Sequence, residues 1–131
     1  MESDNGVYRL KWEDKVLHIQ HVGNATKEDV LWVFDQIAAQ AAQVGPVDIL
    51  LDHTQAGSIA PEARKVATQH AAVQHVRYIA IFGFSLVTRA MATLAIRSLM
   101  LLSKKNYEVG FFNTASEGRA WIDGMHQRAK R

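Results

Sequence analysis

Residues 49–64 read ILLDHTQAGSIAPEAR, and this stretch decides the class of fold that the chain can adopt. Residues 47–51 are predominantly apolar, which is typical of a strand covered on both faces. Pro61 suits the first position of a helix, where its missing N–H costs nothing. The polar residues between them, 52–58, are predicted to form a connecting loop. A buried strand followed by a helix is the repeating unit of an α/β protein.

Strands and helices are also predicted on both sides of this stretch. In residues 7–12 and 16–22 apolar and polar side chains alternate, which predicts two half-buried strands that pair as an N-terminal β-hairpin. Alternation of strands and helices after the hairpin predicts right-handed crossovers. The predicted fold is α/β, with a mixed, mostly parallel five-stranded sheet and about four helices. Further strands are predicted at 78–82 and 107–112, and helices after Thr26, from Pro61 to about His75, over 86–103 and over 114–128.

Composition narrows the functional classes. The 131 residues predict a single domain over 1–131, and a net charge of +2 is too small to predict a nucleic-acid partner. With no cysteine, disulfides, thiolate metal sites and cysteine nucleophiles are excluded. The most apolar stretch, 86–103, contains Arg89 and Arg97, so stable membrane insertion is not expected. The polar start MESDNG is not a secretory signal, and a cytoplasmic location is expected.

Four stretches carry a resemblance to a known family: the hairpin, ILLD before a polar segment, RYIAIFG before a helix, and YEVGFFNTASEGRAWI at the end. In this order and spacing the chain resembles the SpoIIAA-like (STAS-type) family over nearly its whole length. The resemblance implies an α/β sandwich around a sheet of about five strands, and it does not imply an enzyme.

The resemblance also points to one modification site. Relatives that antagonise anti-sigma factors carry a phosphorylatable serine at the start of the helix after the third strand, in an Asp-Ser-Ser-Gly setting. This chain has Ala56, Gly57, Ser58 and Ile59 there. Ser58 is therefore the candidate phosphorylation site, although the preceding acid and the serine pair are missing.

The carboxyl ends of parallel strands meet at one edge of a sheet, where ligands bind in such folds. Helix N-termini at this edge favour an anion. The candidate anion-binding residues are Thr54, Ser58, Ser85 and Arg89. The alternative is that Thr54, Ser58 and Ser85 only cap helices and turns.

The histidines predict neither a metal site nor a catalytic centre. His70 and His75 are five residues apart, which places them on different sides of a helix. Asp52, His53 and Ser58 lack the strand-turn-helix setting of a nucleophilic serine. We expect no catalytic residue, no metal and no cofactor, and we expect His70 to be a structural histidine with a hydrogen-bond partner.

The predicted helix over 86–103 is apolar on two sides. One side should face the sheet, and the other presents a second apolar set that would mark an interface if exposed. The simplest interpretation is a two-fold homodimer. Cover by another segment of the same chain, or by a lipid or other apolar ligand, remains open. The predicted interface residues are Ala92, Ile96, Leu99 and Met100.

The sequence as a whole therefore predicts a non-catalytic, dimeric binding module of the STAS type. Its expected partner is an unidentified protein or a small anion at the loop edge. The alternative function is a carrier that holds an apolar or lipid-like ligand between the sheet and the helices.

Overall fold

The computed structural model describes residues 2–84 and 108–130, and its strands form one six-stranded sheet in the order β1-β2-β3-β4-β5-β6. The first three strands are antiparallel neighbours, and β3 to β6 run parallel. This confirms the predicted α/β class with its hairpin and mostly parallel sheet. The strands are β1 (Glu2–Asp4), β2 (Tyr8–Glu13), β3 (Val16–Ala25), β4 (Val47–Ile59), β5 (Val76–Phe82) and β6 (Glu108–Phe112); the helices are α1 (Lys27–Val44), α2 (Pro61–Gln69) and α3 (Ala115–Ala129), with a 3-10 helix at Ala71–His75.

Helices cover both faces of the sheet. Successive residues of a strand point to opposite faces, so Ile49 and Leu50 of β4 belong to different layers. Ile49 packs in the core formed with α1 and α2, whereas Leu50 packs in a second core with Ile122 of α3. The expectation that residues 47–51 are covered on both faces is confirmed.

The helix ends follow the sequence signals. The side chain of Thr26 accepts from the backbone N–H of Asp29, and the Asp29 carboxylate accepts from the backbone N–H of Thr26, which completes a capping box at α1. Thr114 accepts from the backbone N–H of Glu117 in the same way at α3. Pro61 opens α2, as predicted.

The sheet has a sixth strand that the sequence analysis did not predict. β1 lies along β2, with Ser3 opposite Leu10. A tight turn at Gly6, whose φ is +92°, joins the two strands, and Asn5 Oδ1 accepts from the backbone N–H groups of Val7 and Tyr8. β1 has only three residues, all polar, so it lacks the alternation by which a strand is recognised.

The predicted loop over 52–58 is wrong, because β4 continues through it to Ile59. The segment stays paired with β3 as far as Ala25, with register shifts between Gln20 and Val22 and between Gly23 and Ala25. Its Gly and Ser residues favour a turn locally. The backbone hydrogen bonds of the adjacent strand override that preference.

The helix predicted from Pro61 to His75 is shorter than expected, because α2 ends at Gln69. The ring Nδ1 of His70 accepts from the backbone N–H of Ala72 and starts the 3-10 helix. The ring Nε2 of His70 lies 3.3 Å from Asp35 Oδ1, and its ring stacks on Phe34. His70 therefore has the hydrogen-bond partners expected of a structural histidine.

The predicted helix over 86–103 lies outside the described residues, and so do the interface residues Ala92, Ile96, Leu99 and Met100. Within residues 2–84 and 108–130, no helix combines the length and the apolar character needed to cross a lipid bilayer.

Helix α3 is held to the sheet by one buried apolar residue and by one contact between a histidine ring and a buried carboxylate. Ile122 is fully buried. Asp48 of β4 is 1% exposed, and its Oδ2 lies 2.5 Å from the ring Nε2 of His126. The ring of Tyr78 stands edge-on to His126, with the centroids 5.1 Å apart. These contacts set the position of the last helix on β4 and β5.

Two glycines of α3 provide a matched test of this packing. A Cβ on Gly118 would lie 2.8 Å from Leu50 Cδ1 and 3.2 Å from Ala80 Cβ, whereas a Cβ on Gly124 would meet nothing within 4 Å. We expect Gly124→Ala to raise the free energy of unfolding by about 0.5–1 kcal/mol through helix propensity. Gly118→Ala should lower it by about 1 kcal/mol, because overpacking outweighs the same propensity gain. Urea denaturation measures both, and equal stabilisation by the two variants would contradict close packing at Gly118.

Candidate functional site

The carboxyl edge of the sheet collects the ends of four parallel strands and the starts of three helices. β3, β4, β5 and β6 all end here, and α1, α2 and α3 begin within three residues of the strands that precede them. Such an edge is where parallel α/β folds place their binding groups. We call it the carboxyl edge.

Ser58 is exposed and fixed to the neighbouring strand by Asn24. Its backbone N–H donates to Asn24 Oδ1 at 2.9 Å, and its hydroxyl Oγ donates to the same oxygen at 3.2 Å. β3 and β4 lie very close together here: a Cβ on Gly57 would be 2.9 Å from the carbonyl carbon of Gly23. The Ser58 hydroxyl is therefore presented to solvent from a rigid strand.

Thr54 is held in a local hydrogen-bonded arrangement with Asp52. Both its backbone N–H and its hydroxyl donate to Asp52 Oδ1, at 2.9 and 2.6 Å. The backbone of Gly83 lies against it, since a Cβ on Gly83 would be 2.6 Å from the Thr54 nitrogen. Gly83 also has a φ of +99°, which only glycine adopts without strain.

The structure thus places two of the four predicted anion-binding residues, Thr54 and Ser58, on the exposed end of one strand. Neither side chain caps α2, because Ala60 is its N-cap residue and makes no side-chain cap hydrogen bond. The other two predicted residues, Ser85 and Arg89, lie outside the described residues.

A row of aromatic and imidazole rings crosses the sheet at this edge, and the sequence analysis missed it. Neighbouring rings in the row are 4.2 to 5.7 Å apart between centroids. The sequence carried one signal for it: His21 follows Leu17 and Ile19 on the apolar side of β3. The row consists of Tyr8, His21, His53, Phe84 and Phe111.

The two imidazoles in this row are neutral bases in an apolar setting. His21 is 1% exposed, and neither its Nε2 nor the Nδ1 of His53 has a hydrogen-bond partner. Burial lowers the pKa of His53 to about 4; the neighbouring His21 acts in the same direction and Asp52 opposes it. Burial also lowers the pKa of His21, against the backbone hydrogen bond to Gly23 and the charge of Asp29.

A depression of about 760 Å³ extends from the carboxyl edge over the α3 face of the sheet. Its floor includes Leu50 and Phe82, and its lining carries both carboxylates and cations. Arg9 is 3.1 Å from Asp4 and Lys11 is 3.7 Å from Glu13, so both of these positive charges are already paired. The depression therefore has no strong preference for one sign of charge.

In the described part of the chain, no serine or threonine hydroxyl is hydrogen-bonded to a histidine. A hydroxyl nucleophile with a histidine base needs that contact. Among the same residues, no group of three or more His, Cys, Asp or Glu side chains is arranged to hold a metal ion.

Two solved structures resemble the chain over most of its length. An uncharacterised protein of the DUF3478 family from Shewanella loihica PV-4, described as having a SpoIIAA-like fold, is 18% identical, with a TM-score of 0.65, and the match covers 91% of this chain and 97% of that one. The anti-sigma factor antagonist SpoIIAA in its unphosphorylated form is 13% identical, with a TM-score of 0.57, and the match covers 89% and 98% of the two chains. No protein-family model and no curated protein matches the sequence.

The chain therefore has the STAS-type, SpoIIAA-like fold that the sequence analysis inferred from its four stretches. At these identities the likeness concerns the fold. Function has to be argued from the residues at the carboxyl edge.

The neutral imidazoles predict acid sensitivity. The pKa of His53 in the folded chain is about 4, below its ordinary value of about 6.5, so the unfolded chain binds more protons between these values. The folded state therefore has its full stability above pH 6.5 and loses it as the pH falls towards 4. One extra proton bound by the unfolded chain changes the free energy of unfolding by at most about 1.4 kcal/mol per pH unit, and solvent screening reduces this slope.

His53→Phe keeps a ring beside Phe84 and should flatten this slope between pH 6.5 and 4, as followed by urea denaturation at each pH. The comparison at pH 7.5, where both rings are neutral, controls for changes in packing. An unchanged slope in the variant would show that His53 does not carry the effect.

Proposed function

We propose that the protein is a non-catalytic regulatory module that binds a partner protein through its carboxyl edge. The observation that supports this most is the exposed end of β4. This strand pairs with β5 as far as Asp52 and continues, alongside β3, to Ile59. It holds the polar groups of Thr54 and Ser58 in fixed positions facing solvent. The fold shared with an anti-sigma factor antagonist supports the same proposal.

The absence of a hydroxyl–histidine contact in residues 2–84 and 108–130 also favours binding over catalysis. The shortest carboxylate–imidazole contact among these residues joins Asp48 to His126. Asp48 lies at the start of β4, whereas Ser58 lies near its end. The carboxylate of Asp48 is buried under α3, where it holds a helix in place. We also propose a cytoplasmic location, in keeping with the lack of cysteine.

Ser58 is the residue through which such a module could be regulated. Its hydroxyl is exposed, and its hydrogen bond to Asn24 is long enough, at 3.2 Å, to be given up at little cost. A phosphate on Ser58 would add about two negative charges at the centre of the proposed partner surface. A small anion bound by Thr54, Ser58, Ser85 and Arg89 is the alternative use of the same edge.

Introducing a charge at Ser58 tests the partner surface. We expect Ser58→Asp to weaken partner binding about tenfold or more, because a carboxylate replaces a hydroxyl at the contact. Immobilised wild type and variants are incubated with extract of the source cells, and the retained proteins are quantified by mass spectrometry. Gln43→Asp is the control, since Gln43 is an exposed polar residue near the end of α1, at the opposite edge of the sheet.

A partner is defined as a protein that wild type and Gln43→Asp retain equally and that Ser58→Asp loses. If all three retain the same proteins in the same amounts, the carboxyl edge around Ser58 is not the binding surface. Phosphorylation is read in the same material, by mapping Ser58 in the native protein.

We also propose that the module is a homodimer, on the strength of the second apolar side of residues 86–103. Ile96→Glu combined with Met100→Glu should convert the dimer to a soluble monomer, because each glutamate would have to be desolvated at the interface. Native mass spectrometry measures the mass, with Arg97→Glu as the control at a polar position of the same segment. A wild-type protein that is already monomeric contradicts the dimer.

The second candidate function, a carrier of an apolar ligand, is favoured by the row of rings at the carboxyl edge. Ligand sites are lined mainly by apolar and aromatic side chains with a few polar groups. The same native spectra decide this candidate. A bound lipid or other apolar molecule adds mass to each chain, and spectra of gently purified protein without added mass count against a carrier.

A further inference from the structure

The turn between β1 and β2 contains an Asn-Gly pair, Asn5 and Gly6, which plays no part in the proposed function. In such a pair the backbone nitrogen of the glycine can attack the side-chain amide carbon of the asparagine, because no glycine side chain blocks the approach. Gly6 is exposed, and a Cβ built on it would meet nothing within 4 Å. The turn therefore has room for the five-membered ring that this attack forms.

The electrophile in this reaction is the side-chain carbonyl of Asn5, and the fold polarises it. Asn5 Oδ1 accepts hydrogen bonds from the backbone N–H groups of Val7 at 3.0 Å and Tyr8 at 2.7 Å. Two backbone donors on one carbonyl oxygen stabilise the negative charge that the oxygen gains when a nucleophile adds to the carbon. The same bonds turn the Asn5 side chain towards the residues that follow it, and so towards the nitrogen of Gly6.

The nucleophile is the backbone nitrogen of Gly6, and a carboxylate lies within reach of its proton. The Gly6 N–H donates to Asp4 Oδ1 at 2.6 Å. Asp4 Oδ2 is 3.1 Å from Arg9 Nε, an ion pair that holds the carboxylate in place between β1 and β2. A carboxylate at hydrogen-bond distance can take the proton that the nitrogen must lose as it attacks.

We propose that Asn5 is a site of spontaneous deamidation in the folded protein, through a succinimide formed with Gly6. The Gly6 nitrogen forms a bond to Asn5 Cγ and passes its proton to Asp4. The bond from Cγ to the side-chain nitrogen breaks, and that nitrogen leaves as ammonia with the proton from Asp4. Water then opens the ring at either of its two carbonyls, which gives aspartate or isoaspartate at position 5.

Either product places a negative charge where the amide now makes an attractive contact. Asn5 Nδ2 donates to Asp29 Oδ1 at 3.4 Å, and the other oxygen of Asp29 accepts from the backbone N–H of Thr26 at the start of α1. A carboxylate at position 5 cannot donate and would repel Asp29. Isoaspartate also adds a methylene to the backbone, which displaces the oxygen now bound by two N–H groups. We expect the turn to open and β1 to separate from β2.

The test compares the folded chain with the same chain unfolded in guanidinium chloride, both in mildly alkaline buffer. Position 5 is followed by peptide mass mapping, and isoaspartate is detected by enzymatic carboxyl methylation. We expect Asn5 to convert about fivefold faster in the folded chain, because the unfolded chain lacks the hydrogen bonds that orient the two reacting groups. Asn24 is the internal control: its Oδ1 also accepts a backbone N–H, but the side chain of Ala25 hinders the attack, so it should stay intact.

Two variants separate the proton acceptor from its ion pair. Asp4→Asn keeps an acceptor oxygen for the Gly6 N–H but removes the base, and should slow conversion in the folded chain to about the rate of the unfolded chain. Arg9→Gln breaks the same ion pair and leaves the carboxylate, so most of the faster rate should remain. Circular dichroism confirms that both variants are folded.

The proposal fails if Asn5 converts more slowly in the folded chain than in the unfolded one, which would show that the turn protects the amide. It also fails if Asp4→Asn converts as fast as the wild type, or if Asn24 converts as fast as Asn5. Hydrogen exchange tests the consequence, and unchanged protection of the β2 amides after conversion would contradict the separation of β1. Each readout is a chemical or local change at the turn, so the result is independent of the proposed partner surface.

Discussion

The parallel pairing of β3 with β4 is the constraint on which the other features of the structure depend. β4 has a strand on either side and a helical layer on either face, so its register cannot change without moving every layer. A slip of one residue would exchange Ile49 for Leu50 between the two cores. The same register carries His53 to His21 and Ser58 to Asn24.

The two edges of the sheet have different chemistry because the same strands end in different surroundings. At the carboxyl edge β4 runs past β5, so its last residues, Thr54 and Ser58 among them, are exposed. At the opposite edge, where the parallel strands begin, α3 packs over the first residues of the strands, and the carboxylate of Asp48 is buried against His126. The two solved structures share the fold of this chain at 13–18% identity. The layering depends on the pattern of apolar residues, and the edge residues are free to differ.

Local signals predicted those elements that local physics decides. The capping residues Thr26 and Thr114 marked two helix starts correctly, because a cap is a contact within four residues. The strand over 52–58 was missed, because its turn-forming residues are overridden by hydrogen bonds to β3 about thirty residues away. Likewise, the sequence could not show that the ring of His70 would contact Asp35 and accept a hydrogen bond from the backbone of Ala72.

The sequence by itself determined the α/β class, the order of the main described elements from β2 onward and the apolar faces, since periodicity reports which side of an element is buried. It also identified Thr54 and Ser58 as candidate site residues, because they are polar residues that follow a buried strand. Only the tertiary structure decided which groups meet: His21 with His53, Ser58 with Asn24, and Arg77 beside the buried Asp48. These neighbours come from different strands and helices, and their distances depend on register and helix docking, which no local pattern encodes.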